Sequence, residues 1–265
     1  MLSRFINELL RVNGVLTPAA MGRYVRCIAL SAPEIVRNGK LWPADLRMKD
    51  SVWVRYEGAS LTIDCGQLDK IVPEEGCSSF SSIREMYSRN VYLRCFDTRK
   101  IRFENAIDAG GNRGLFTAFA SQLCRQVVYV EPQLKYRPCL ERLLSDNPTT
   151  CTVHVENRLL AGWDNTSTIT LDEIIGKYGF RSVGFFKCDI EGAEFDIFAH
   201  PGNWISRVDN IAMEVHRAFG DPNLIVDVLQ RNGFTVAMAD YQLRPVDSSR
   251  ADYIYASRTG ALTTV

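Results

Sequence analysis

Asp108-Ala109-Gly110-Gly111-Asn112-Arg113-Gly114 is the stretch on which the reading of this chain turns. Before it, Ala106-Ile107-Asp108-Ala109 has the apolar character of a short buried strand. After it, Leu115 to Cys124 is apolar-rich and fits a helix. A strand, a glycine-rich turn and a helix bring backbone close to a ligand at the helix N-terminus. Gly110, Gly111 and Gly114 supply the freedom that approach needs, but their spacing is not the GxGxxG of dinucleotide sites. Asp108 ends the strand ahead of the glycines. A carboxylate there disfavours a pyrophosphate and favours a cationic or zwitterionic ligand, such as an amino-acid ammonium met directly or through water.

Working outward, the pattern stays regular. Strands are predicted at 127–130, 151–155, 183–188, 208–215, 234–239 and 253–256, and helices at 132–144, 171–178, from about 193, and at 224–231. The alternation implies a mostly parallel sheet with helices on both faces. The last two strands have no helix between them, which predicts an antiparallel edge. The second strand runs into Glu131-Pro132. An acidic residue at that strand end suits ribose hydroxyls. Ammonium and ribose on one ligand point to S-adenosylmethionine (SAM).

Five blocks then occur in order: Asp108 to Phe116, Val130-Glu-Pro132, Thr170-Leu-Asp-Glu-Ile174, Phe186-Lys-Cys-Asp-Ile-Glu-Gly-Ala-Glu194, and Met213-Glu-Val-His216. Together they resemble the FkbM-type SAM-dependent methyltransferases over residues 80–258, with the Lys-x-Asp-x-Glu-Gly-x-Glu block the most specific. The resemblance implies a class I methyltransferase fold: a Rossmann-like, mostly parallel seven-stranded sheet with an antiparallel edge strand. It also implies O-methylation of sugars or secondary metabolites. It places SAM contacts on Asp108, Gly110, Gly111, Asn112, Gly114 and Glu131. Gly111 stands where the family usually has alanine, a departure expected to be harmless. Glu156-Asn157 falls where class I enzymes usually meet adenine, and Asn157 is the preferred of the two.

Ligands of open α/β sheets bind beyond the carboxyl ends of the strands. Lys187, Asp189 and Glu191 lie two apart at one such end, Glu194 follows one helical turn on, and Glu214 and His216 end the next strand. These ionisable groups are the candidate catalytic residues: Asp189, His216, Lys187, Glu191 and Glu214. Methyl transfer to a hydroxyl needs alignment and removal of one proton, and His216 has a suitable ordinary pKa for a base. Asp189, Glu214 and His216 would form a set for Mg²⁺ or Mn²⁺ if a divalent cation takes part. A purely structural network is the other reading, with Lys187 neutralising Asp189 and Glu191 or Glu194 capping the helix. His200 reads as a turn residue and His154 as core or sheet surface. Trp163 and Trp204 read as packing residues, with a sugar site the alternative.

Composition narrows the classes. The 265 residues carry 31 basic and 31 acidic side chains, for no net charge. A broad nucleic-acid footprint would need a basic face, so no nucleic-acid partner is expected. Eight cysteines form no CxxC pair, and with three histidines a structural zinc site is not expected. They read as reduced thiols of a cytoplasmic protein. No signal-peptide core or membrane span is apparent.

Residues 1–79 are expected to form a separate cap of helices and a β-hairpin, followed by the methyltransferase domain at 80–265. Helical stripes run through Leu2, Phe5, Ile6, Leu9 and Leu10, and through Met21, Tyr24, Val25 and Ile28. They are expected to pack on the body or on a second copy in a homo-oligomer. A membrane-surface helix helped by Arg4 and Arg11 is the rival reading. The hairpin pairs 51–56 with 60–65 around Glu57-Gly58-Ala59, and a helix at 80–90 would serve as a lid. The expected activity is SAM-dependent O-methyl transfer to a sugar hydroxyl. The rivals are a small secondary metabolite such as a polyketide as acceptor, a non-catalytic SAM-binding scaffold, and a nucleotide-dependent dehydrogenase.

Overall fold

The computed structural model describes residues 2–73 and 77–263, with side chains from residue 6 onward. The expected contributions of Leu2, Arg4 and Phe5 therefore lie outside the described side chains. The chain divides into two compact units, residues 1–90, 113–122 and 135–149 in the first, and 91–112, 123–134 and 150–265 in the second. The first unit thus extends past the expected boundary at residue 79 and takes in two later helices.

The first unit opens with helices α1 (Leu2–Val15), α2 (Pro18–Leu30), α3 (Ala32–Asn38) and α4 (Trp42–Arg47). Thr17 caps α2 by accepting from the Ala20 amide, with Pro18 at the first helical position. The hairpin is β1 (Ser51–Tyr56) and β2 (Ala59–Asp64), in which Tyr56 pairs with Ala59. Its turn is two residues, Glu57 and Gly58, both at positive φ, so Ala59 belongs to the strand and not to the turn. Helix α5 (Cys65–Ile71) follows, then α6 (Ser79–Ile83). The expected 80–90 helix is split, because from Arg84 to Ser88 it continues as a π-helical turn. Helices α7 (Leu115–Ser121) and α8 (Arg137–Asp146) complete this unit. Asn147 ties α8 to β2, its side chain donating to the Thr62 carbonyl at 2.8 Å and accepting from the Thr62 amide at 2.7 Å.

A buried charge cluster braces the first unit. The Arg84 guanidinium donates to both oxygens of Asp45, at 2.8 Å for the closest contact, and to Glu8 at 3.0 Å; Tyr24 donates to Asp45 at 2.7 Å. Asp45 and Tyr24 are fully buried, so losing Arg84 would strand a charge in the interior.

The second unit holds β3 (Asn105–Ala109), β4 (Gln126–Val130), β5 (Thr152–Glu156), the short parallel pair β6 (Leu159–Leu160) and β7 (Thr168–Ile169), helix α9 (Leu171–Lys177), β8 (Phe185–Cys188), α10 (Glu194–Ala199), β9 (Asn210–Glu214), α11 (Pro222–Arg231), β10 (Thr235–Ala239) and β11 (Tyr253–Ser257). Seven strands form one sheet in the order β10-β11-β9-β8-β3-β4-β5, with β11 antiparallel to both neighbours. This is the sheet of the class I methyltransferase fold expected from the sequence, except that the antiparallel strand β11 lies inside the edge strand β10 and not at the edge. The pair β6–β7 is too short to have shown in the pattern.

Strand alternation sorts the side chains. Ile107, Ala109, Val128, Val130, Phe186, Cys188, Ile211 and Met213 join a buried apolar cluster with residues of α9, α10 and α11. The intervening positions carry Asp108, Tyr129, Lys187 and Ala212. The sheet's polar machinery therefore lies on the face opposite that cluster. Trp204 is buried in the cluster against Phe198 and Phe186, a packing residue as expected. Trp163 is 55% exposed in the loop between β6 and β7. No helix among the described residues is long and apolar enough to cross a membrane.

Candidate active site

Two constellations lie at the carboxyl ends of neighbouring strands in the second unit. The first is the glycine loop after β3. Gly110 has φ 70°, and a Cβ there would lie 1.6 Å from the Asp189 carbonyl oxygen, so only glycine fits. Gly111 is equally constrained: a Cβ would fall 2.2 Å from the Tyr129 ring. Tyr129 donates its hydroxyl to the Asn112 carbonyl at 2.6 Å. Glycine at 111 is thus matched to a large neighbour in this chain. Asn112 holds φ 46°, uncommon for a non-glycine residue but tolerated by asparagine. Gly114, at φ 85°, belongs to the first unit as the N-cap of α7.

Asp108 and Lys187 are register partners on β3 and β8, so both side chains emerge on the same face. Their charges meet at 3.1 Å, both buried. The Lys187 ammonium also donates to the carbonyls of Ala109 at 3.1 Å and Gly110 at 2.6 Å. Burial pushes the Lys187 pKa down, but the carboxylates of Asp108 and Asp189 more than offset it, and the group stays protonated. Lys187 thus makes its ion pair with Asp108, where the structural-network reading had Asp189, and it is buried beneath the loop. Asp108, in turn, is fully buried with a countercharge already in place.

Glu131, just past β4, accepts from the Asn112 amide at 3.0 Å and from the Gln133 amide at 2.9 Å. Burial raises its pKa, and these amides hold it back. Asn157 lies past β5 and donates to the Glu131 carbonyl at 3.1 Å. Glu156 is committed elsewhere, bonded to Lys177, Tyr178 and Arg158. Both neighbours meet the strand end that carries Glu131, Glu156 through its main-chain carbonyl, which accepts the Glu131 amide at 3.0 Å, and Asn157 through its side chain. His154 stacks on Tyr178 at 4.0 Å and bonds Gln126, a sheet-surface role.

The second constellation gathers past β8 and β9. Asp189, Glu191 and His216 present one ligand atom each, all within 4.8 Å of one another. His216 Nε2 is 3.9 Å from Asp189 Oδ1 and 3.3 Å from Glu191 Oε2. Its Nδ1 lies 3.0 Å from Glu194 Oε1, which also accepts the His216 amide at 2.7 Å. The Glu194 side chain is fully buried, and its other oxygen accepts the Gly192 amide. Burial opposes its ionisation, but the bonds from His216 win and hold its pKa below the usual range. The hydrogen bond to Glu194 in turn raises His216, against burial, to about 9 with the help of Asp189 and Glu191.

Glu214 is not part of this group, and Glu191 takes the place expected for it. β9 ends at Glu214, and the chain turns at Val215–Arg217, which breaks the i, i+2 alternation that would have kept Glu214 and His216 on one face. Two contacts were not found by pattern. Tyr92 donates to Asp189 Oδ2 at 2.9 Å from 97 residues away. The spacing from Glu191 places Glu194 among the converging groups, or alternatively as a helix cap, but its bond to His216 was not foreseen.

Arg217, Asp240, Tyr241, Gln242, Arg250 and Asp252 line an open polar cleft of about 200 Å³, to which none of Asp189, Glu191 and His216 contributes. These residues follow β9 and β10 or precede β11, at the same end of the sheet as Asp189. His200, 3.7 Å from Asp196, ends α10 at an exposed turn, away from this group.

Solved structures similar to this chain include an rRNA methylase of Streptococcus thermophilus (11% identity, 60% of this chain, 89% of that one, TM-score 0.42) and the Streptococcus mutans protein SMU.1697c, assigned as a methyltransferase, in complex with SAH (14% identity, 64% and 94%, TM-score 0.43). A third is a precorrin-6y C5,15-methyltransferase of Geobacter metallireducens (13% identity, 60% and 82%, TM-score 0.36). At these scores the likenesses decide nothing about this chain, and its own strand order carries the fold. No curated protein matches it. Residues 160–236, which hold the Lys187–Glu194 block and the Glu214–His216 pair, match the methyltransferase FkbM domain, a family of SAM-dependent methyltransferases.

Proposed function

We propose that this chain is a SAM-dependent O-methyltransferase whose acceptor is a hydroxyl of a sugar or similarly polar small molecule. The observation that carries the reading is the seam between the two constellations. The Asp189 amide donates to the Ala109 carbonyl at 3.1 Å, and the Asp189 carbonyl packs where only Gly110 leaves room. A donor held by the glycine loop is thereby adjacent to the carboxylate–histidine group.

In this reading the backbone at Gly110–Asn112 borders the methionine part of SAM, the Glu131 carboxylate takes the ribose hydroxyls, and Asn157 meets the adenine. Asp108 acts on the ammonium through the loop it shapes or through water. The acceptor enters from the polar cleft lined by Arg217, the residue after His216. Its oxygen attacks the methyl carbon in line with the breaking C–S bond; that bonding pair leaves on sulfur, giving S-adenosylhomocysteine and a methyl ether. The hydroxyl proton passes to the Asp189 or Glu191 carboxylate, because the His216 imidazole, raised to about 9 and so above its ordinary value, already holds its own. The polar lining of the cleft favours a hydroxyl-rich acceptor over an apolar polyketide, and the absence of net charge disfavours a nucleic acid. Transfer of label from methyl-labelled SAM to a panel of sugars, glycolipids, polyketides and RNA tests the reading. Label in the sugar-bearing compounds supports it; label in RNA or polyketide alone overturns it.

A further inference from the structure

We infer that Asp189, Glu191 and His216 form a binding site for one divalent cation of the Mg²⁺/Mn²⁺ class. Mg²⁺ and Mn²⁺ hold donors at about 2.0–2.2 Å in an octahedron, so neighbouring donors stand ~3 Å apart and opposite ones ~4.2 Å. The three donor atoms lie within 4.8 Å of one another, with 3.3 and 3.9 Å to His216 Nε2, and must close by up to about 1 Å to meet these spacings with the carboxylates opposite each other, a shift open to the exposed Glu191 side chain. Two carboxylates and one imidazole are the donor chemistry of these ions, and not of a thiolate-bound metal.

The supporting bonds point the same way. A metal-ligating histidine usually gives its second ring N–H to a carboxylate, which fixes tautomer and orientation. Glu194, itself fully buried, does this for Nδ1 and leaves Nε2 aimed at Asp189 and Glu191. Tyr92 occupies Oδ2 of Asp189 from the far side, so Oδ1 is the oxygen turned to the group. Glu191 adopts φ 56°, a left-handed backbone that a glutamate enters at a cost, and that backbone brings its carboxylate over Nε2. Asp189, Glu191 and Glu194 together outnumber the one imidazole, so a bound cation balances the charge.

The three protein donors leave three octahedral positions for water and one ligand oxygen. Resting on the methyltransferase reading, that oxygen is the acceptor hydroxyl, and the cation would lower its pKa and fix it facing the methyl group.

The test is Mn²⁺ binding to the full chain, followed by calorimetry and by the loss of the free-ion paramagnetic resonance signal, with SAM affinity measured on the same samples. One Mn²⁺ per chain is expected, competed by Mg²⁺. His216→Gln and Asp189→Asn should each weaken it at least tenfold, and Glu194→Gln by about 10–100-fold through loss of the supporting bond. Glu214→Gln should leave it unchanged. A chain that binds SAM but no stoichiometric Mn²⁺, or variants at Asp189 and His216 that bind as tightly as the parent, would overturn the site. Mn²⁺ bound at one per chain without SAM binding would retain the cation site and sink the methyltransferase reading instead.

Discussion

Around the glycine loop each carboxylate is answered from within the chain, whereas around His216 three carboxylates share one imidazole. Asp108 meets Lys187, and Glu131 meets two backbone amides. Asp189, Glu191 and Glu194 all converge on His216. The first region sets one ammonium against two carboxylates, with backbone amides on the second. The second carries surplus negative charge and a proton-loaded imidazole, the condition of a site that works through a proton or a cation. Under the proposed function the difference separates holding the donor from performing the transfer, although both regions stand on adjacent strands.

The sharpest way to break this division is His216→Ala. It should cut methyl transfer by roughly 10²–10⁴-fold and leave SAM affinity within a few-fold of the parent. Rate and affinity falling together would mean that the two regions are one. Asp108→Ala probes the other side. It leaves the buried Lys187 ammonium without its countercharge and should cost about 3–5 kcal/mol of stability, read as a drop in Tm, before any effect on chemistry. A variant as stable as the parent would show that the pair does not organise the loop.

A smaller effect concerns pH. The His216 pKa is raised to about 9 by Glu194, Asp189 and Glu191, so its charge stabilises the fold fully below the unfolded-state value of about 6.5. That contribution is lost as pH rises through about 9. Chelator-treated protein should therefore lose Tm between pH 7 and 10, and His216→Gln should flatten that decline. Equal slopes for the two would contradict the coupling to the carboxylates.

Most of the sheet was legible because parallel strands are short apolar runs separated by turns and helices, and Asp108, Glu131 and Asp189 stand at strand ends where ligands bind. What stayed hidden depends on packing across distance. Nothing in the sequence ties Tyr92 to Asp189, or Tyr129 to Gly111. The pairing of Lys187 with Asp108 needs the register of β3 against β8. Glu214 failed to join its i+2 neighbour because the strand ended sooner than its apolar run suggested. The assignment of α7 and α8 to the first unit is likewise set by contacts that no local pattern encodes.

The central claim is that the loop after β3, together with Glu131, holds SAM. Calorimetric titration of SAM into the parent chain and Glu131→Ala tests it most directly. Removing charge-assisted bonds to the ribose should cost about 1.5–3 kcal/mol, a roughly ten- to hundredfold loss of affinity with the fold intact by circular dichroism. A parent chain that does not bind SAM, or a folded Glu131→Ala that binds it equally well, would contradict the account.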